Sequence, residues 1–143
     1  MKTTTRRVTR TVLVVCLLFA AASVAPTRGA QTGDSVVHVV LVWLKEPRNR
    51  DHREQIIRVS RTFADIDGVI EVRAGEPLAS DRPVVDDSFD VGITIRFASA
   101  EDMRAYLVDE RHVRAVEEVL GPLTDRYRVY DFIDPGALGD VAD

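Results

Sequence analysis

The sequence predicts an α+β domain of element order βαββαβ, and three observations carry that reading. Residues 36–44 form a nearly continuous apolar, β-branched run. Residues 89–97 alternate strictly between large apolar side chains and small or polar ones. Each of these stretches is followed by a segment whose apolar residues recur at helical rather than strand spacing.

The first run, broken only by His38, has the composition of a strand buried on both faces. Pro47 and Asn49 then open a helix, with Asn49 as its N-cap. Ile56, Ile57, Ser60, Phe63 and Ala64 fall on one side of that helix, while Arg50, Arg53, Arg58 and Arg61 take much of the other. Gly68 closes the helical region, and residues 69–74 are a second strand. The stretch 75–83 is rich in turn formers and continues to Asp87 as a long loop.

In the next strand Phe89, Val91, Ile93, Ile95 and Phe97 point one way and Asp90, Gly92, Thr94 and Arg96 the other. Ser99 and Asp102 resemble a capping box with Asp in the place of Glu. The helical region they start carries Met103, Leu107, Val113, Val116 and Leu120, and Gly121-Pro122 stops it. Residues 127–133 are the fourth strand, and an acidic tail that frays is expected from Pro135 onwards. This order is that of a split βαβ, ferredoxin-like domain. One face of such a sheet packs on two helices. The other needs a cover, and pairing two sheets across a two-fold axis supplies it.

A strand with His38 near its start, a helix, a second strand, a long loop, the Phe89-Asp90 strand, a helix with Tyr106 and His112, and a closing Tyr127-Arg-Val-Tyr-Asp-Phe132 follow one another in that order. That succession resembles the stress-responsive A/B barrel domain family over nearly all of residues 35–133. The resemblance implies a homodimeric α+β barrel, with a pocket between the two sheets or beside them, and no metal or organic cofactor. One plant member of the family is an intramolecular aldol-type polyketide cyclase that uses a Tyr and a His at this six-residue spacing. Carried over by motif, those roles fall on Tyr106 and His112.

The two residues do not meet on an ideal helix. Six steps rotate by about 600°, which leaves the side chains roughly 120° apart and about 9 Å along the axis. They face one pocket only if the helix bends between them. Relatives often carry His-Pro at that place, whereas this chain has Asp109-Glu110, which predicts a looser bend.

His112 is the candidate general base, because imidazole titrates near neutral pH. Tyr106 is the candidate donor to an oxygen that develops negative charge. Each also reads as an ordinary packed side chain, His112 bonded to backbone or a carboxylate at a helix break and Tyr106 in the core. His38 shares a strand face with Val40 and Val42, and the resemblance implies that such a position, like Trp43, can line the pocket. Asp90 and Arg96 share a face and must be paired or hydrogen-bonded if it is buried, with Asp131 a partner for either. His52, among Arg50, Asp51 and Arg53, reads as a surface residue. No His-x-x-x-His spacing, Gly-rich phosphate loop or nucleophile elbow occurs, so no metal site is expected.

Residues 1–30 read as a signal peptide, with Lys2, Arg6, Arg7 and Arg10 before an apolar run from position 12 to 25 and small residues towards Ala30. The 14-residue run is shorter than the ~18–20 that span a bilayer, so cleavage during export is expected, and contact with membrane only at that stage. Arg6-Arg7 also opens a twin-arginine reading, from which Thr9 and Arg10 depart. Cys16 reads as a small hydrophobe within the run.

The domain would then be residues 31–143, with 14 basic against 23 acidic residues and no cysteine. Such a charge does not attract nucleic acid, and neither a disulfide nor thiol chemistry is open to it. Four functions remain: an exported homodimer that binds a small apolar or aromatic molecule in the barrel pocket; a cofactor-free lyase or cyclase with a His base and a Tyr partner; a cofactor-free monooxygenase-like or haem-handling relative; and a purely structural dimer.

Overall fold

Ten consecutive residues, Ser35–Leu44, form strand β1, and its β-branched composition places it at the centre of the sheet. The computed structural model describes residues 34–135. The expected export segment and the tail beyond Pro135 lie outside them. β1 pairs antiparallel with β3 (Val91–Phe97) on one side and β4 (Thr124–Asp134) on the other, and β2 (Val69–Gly75) lies outside β3. The order β2-β3-β1-β4 is that of the ferredoxin-like α+β fold.

Register decides which side chains meet. Val36, His38, Val40 and Val42 lie opposite Phe97, Ile95, Ile93 and Val91. This face packs against helix α1 (Arg50–Arg61), the 3₁₀ turn Thr62–Asp65 and the second helical region, and Ile56, Phe63, Ile66, Tyr106 and Ala115 complete the core. Each large side chain buried there contributes on the order of 1.5–3 kcal/mol.

The opposite face has no cover among the described residues. Val37, Val39 and Leu41 stay half-buried there, and Tyr130 and Phe132 of β4 are 55% and 52% exposed. The expectation that β1 is buried on both faces therefore holds within one chain for one face only.

Asn49 caps α1 as expected, its side chain accepting from the His52 N–H. Gly68 does not end that helix directly. The helix stops at Arg61, and Gly68 turns the chain into β2 with φ +83°, where a Cβ would stand 2.6 Å from the Asp102 Cβ. Ser99 caps the next helix by accepting from the Asp102 N–H, while its hydroxyl donates to the Asp102 carboxylate. Gly121-Pro122 does not stop the helical region either: Gly121–Leu123 makes one more turn, and β4 begins at Thr124.

Candidate functional site

The second helical region is broken where the site requires it. Helix α2 (Ala100–Val108) ends at Asp109, whose backbone is extended (φ −63°, ψ 134°), and α3 (Glu110–Ala115) starts anew. Asp109 is its N-cap: one carboxylate oxygen accepts from the Arg111 N–H at 2.8 Å and from its Nε at 3.0 Å, and the other accepts from Nη2 at 2.9 Å. The Arg111 side chain holds the Asp109 carboxyl down to about 2. Arg111 also reaches across to donate to the Asp65 carbonyl at 2.7 Å. The looser bend expected of Asp109-Glu110 is thus a pinned one, because an aspartate cap supplies locally what a proline would supply by geometry.

The break brings the two aromatic rings together. Tyr106 and His112 have centroids 4.3 Å apart with a 41° tilt, and Phe63 packs edge-on to both at 5.6 Å. Tyr106 is buried, and burial raises its hydroxyl above the usual range, so it remains a neutral donor. The His112 Nδ1 lies 3.2 Å from the Leu107 carbonyl. A carbonyl can only accept, so Nδ1 carries the proton and Nε2 keeps a free lone pair. Burial lowers the His112 pKa, and the charge of His38 adds to that, against the opposing Leu107 carbonyl and Asp109.

His38 faces the same space from β1. It lies opposite Asp131 of β4 in register, with Nδ1 2.6 Å from a carboxylate oxygen. Its ring stands edge-on to Tyr106 at 6.3 Å and to Phe97 at 6.5 Å. A neutral His38 therefore holds the same tautomer as His112, with Nε2 unprotonated. The three side chains line a cavity of about 360 Å³ between the sheet and the helices. Val40, Val42, Ile93 and Ile95 make its floor, Val116 and Leu120 its roof, and Tyr127 and Val129 its β4 side. Part of that roof is a π-helical turn, Val116–Leu120, a distortion frequent at functional sites.

Residues 36–134 match the Stress responsive A/B Barrel Domain family. The chain belongs to this family. No curated protein matches it significantly. Among solved structures, this A/B barrel domain is similar to a hydroxynitrile lyase from Passiflora edulis (TM-score 0.61, 20% identity, 70% of this chain and 93% of that one). It is also similar to a Dabb family protein with a ferredoxin-like fold from Mesorhizobium loti (0.58, 19%, 71% and 97%). A third is a dimeric ferredoxin-like protein of unknown function from Thermobifida fusca (0.57, 19%, 70% and 91%). At these identities the likeness shows the fold.

Of the site residues expected from sequence, the A/B barrel domain brings His38, Tyr106 and His112 together and leaves three elsewhere. Trp43 projects from the other sheet face at the end of β1, with the Arg126 guanidinium 4.2 Å over its ring and its indole N–H donated to Ser88. Asp90 is buried just before β3 and accepts from the Leu44 N–H at 2.9 Å and the Arg48 N–H at 2.6 Å. It does not pair with Arg96, which is exposed opposite Glu71, and Asp131 serves His38 instead of either. His52 is half-buried rather than on the open surface, its Nδ1 buried without a hydrogen bond to the described residues. Phe63 and the Asp131 partnership were not expected from sequence. The register of β1 against β4 decides the latter, and a single sequence does not display it.

Among the described residues no group of three or more His, Cys, Asp or Glu could hold a metal, and no helix is long and apolar enough to cross a membrane.

Proposed function

We propose that this A/B barrel protein is an exported homodimer whose cavity takes a small apolar or aromatic molecule carrying one polar group. The observation that carries the reading is the 360 Å³ space in which Tyr106, His112 and His38 converge on an otherwise apolar lining. Its size is at the lower end of the ~300–1,000 Å³ of small-molecule pockets, which suits one ring with a short chain. The dimer is supported by the uncovered sheet face with Tyr130 and Phe132, and by the dimeric protein of Thermobifida fusca that shares the fold. Export rests on the character of residues 1–30. A role in stress is implied by the family's name alone.

A second reading is favoured by the His112 tautomer. With Nδ1–H committed to Leu107, Nε2 can take a proton from a carbon next to a carbonyl, while the neutral Tyr106 hydroxyl hydrogen-bonds the enolate oxygen. Imidazolium and enolate are the products of that step, and no cofactor enters it. The hydroxynitrile lyase with this fold supports such chemistry as one the scaffold hosts in another protein.

The test is a thermal-shift screen of residues 31–143 with aromatic aldehydes, aryl ketones and polyketide-like compounds, beside His112→Ala and Tyr106→Phe. Compounds that stabilise the wild type and not the variants support the pocket. Hits that ignore both substitutions place binding elsewhere. Deuterium exchange at the carbon next to the ketone, abolished in His112→Ala, separates the enzyme from the binder.

A further inference from the structure

The cavity has a second polar feature, at its far end. His38 lies opposite Asp131 and Leu44 lies opposite Thr124, six residues further along β1, or roughly 20 Å at strand rise. Both His38 and Thr124 line the same cavity, together with Gly121 and Asp125 at the far end. A 360 Å³ space that extends so far is narrow, and its middle is formed by Val40, Val42, Ile93 and Val129.

Thr124 reaches this wall through an irregularity. The pairing of β1 with β4 shifts between Trp43 and Leu44, so that Arg126 opposes Trp43 but Thr124 opposes Leu44. Asp125 is the extra residue. Strict alternation from Asp131 through Val129 and Tyr127 would bring Asp125 alone to this wall, and the bulge adds Thr124 beside it. The Thr124 hydroxyl is buried and has no hydrogen-bond partner among the described residues. A valine of the same shape would avoid that penalty.

We infer that the cavity is a two-ended channel in which the Thr124 hydroxyl hydrogen-bonds the far end of an elongated ligand. The inference rests on the reading of the cavity as a ligand site and names the class of ligand. One end carries a carbonyl for Tyr106 and His112. The middle is apolar, and a hydroxyl or carbonyl at the far end meets Thr124. Oγ1 itself is shielded in the fold, so the contact includes a change of the threonine χ1 rotamer on binding.

The experiment uses aryl n-alkyl ketones of graded chain length, each with and without a terminal hydroxyl, titrated into wild type, Thr124→Val and Thr124→Ser. At one chain length the hydroxyl should tighten binding to wild type and to Thr124→Ser about three- to tenfold, and do nothing for Thr124→Val. Without ligand, Thr124→Val should melt at or above the wild-type temperature. A hydroxyl that adds nothing to wild type at any length, while the plain ketones bind, overturns the inference and leaves the pocket standing. So does a Thr124→Val that weakens both ketones equally or melts several degrees lower, which would mean the hydroxyl is already satisfied within the fold. If no ketone of either series binds wild type, the pocket reading fails and the inference with it.

Discussion

Asp90 and the His38–Tyr106–His112 group are both polar features buried against the same β1, and they are satisfied in opposite ways. Asp90 spends its carboxylate on two backbone amides, Leu44 and Arg48, and so ties the β1–α1 connection to the start of β3. The imidazoles spend one nitrogen each, on Asp131 and on Leu107, and keep the other towards an open space. Burial keeps the Tyr106 hydroxyl protonated and so able to donate. Saturated polar groups hold a fold together, whereas half-saturated ones beside a cavity are available to something else.

The comparison is broken most forcefully at Asp90. Asp90→Ala leaves the buried Leu44 amide and the part-buried Arg48 amide without an acceptor and should cost about 2–4 kcal/mol in urea unfolding. Ligand affinity of the remaining folded protein should be unchanged. If affinity falls with stability, the two regions are coupled and the contrast is wrong. Phe132→Asp, on the uncovered sheet face, should turn the proposed dimer into a monomer by sedimentation, with the cavity residues untouched.

At the other region the expected effects are on binding rather than folding. Tyr106→Phe should shift stability by no more than about 1 kcal/mol while removing most of the affinity for carbonyl compounds. Asp131→Asn should leave the Tyr106–His112 pair in place but free the tautomer of His38, which nitrogen-detected NMR of the imidazoles reads directly.

Two pH effects differ in sign of origin and in range. The folded-state pKa of His112 lies below the ~6.5 of an unfolded histidine. The folded protein therefore resists protonation, and its stability is full above that value and declines as pH falls through the folded one. A proton transfer based on His112 should rise with pH to a plateau whose midpoint is below ~6.5. Asp109, depressed to about 2, holds the helix break with full effect above ~4, and that contribution disappears only as pH falls through about 2. A loss of the break near pH 5, seen as a change in the Tyr106 ring environment, would contradict the cap. The smallest effect belongs to Arg48, which sits at φ 63° beside Asp90. Arg48→Gly should gain up to about 1 kcal/mol by relieving the left-handed backbone.

The strands were legible because their patterns are local. The β-branched run of β1 and the period-two alternation of β3 follow from side-chain direction alone, and so did the placement of His38 with Val40 and Val42. The alternation misled at Asp90, since a strand pattern says which way a carboxylate points and not that the chain 42 to 46 residues earlier returns its amides to it. The break at Asp109 had a visible signal, an aspartate two residues before an arginine inside a helical run, which is as much a cap as a surface pair. Asp131 was legible as a polar residue in a closing strand. Its partner was not, because antiparallel register is a property of two segments 93 residues apart.

The hydrogen bond from Arg111 to the Asp65 carbonyl spans 46 residues of sequence. It ties the turn that carries Phe63 to the start of α3, and Phe63 packs edge-on to both Tyr106 and His112. The shape of the pocket is therefore held from outside the pocket, by one guanidinium on a backbone carbonyl.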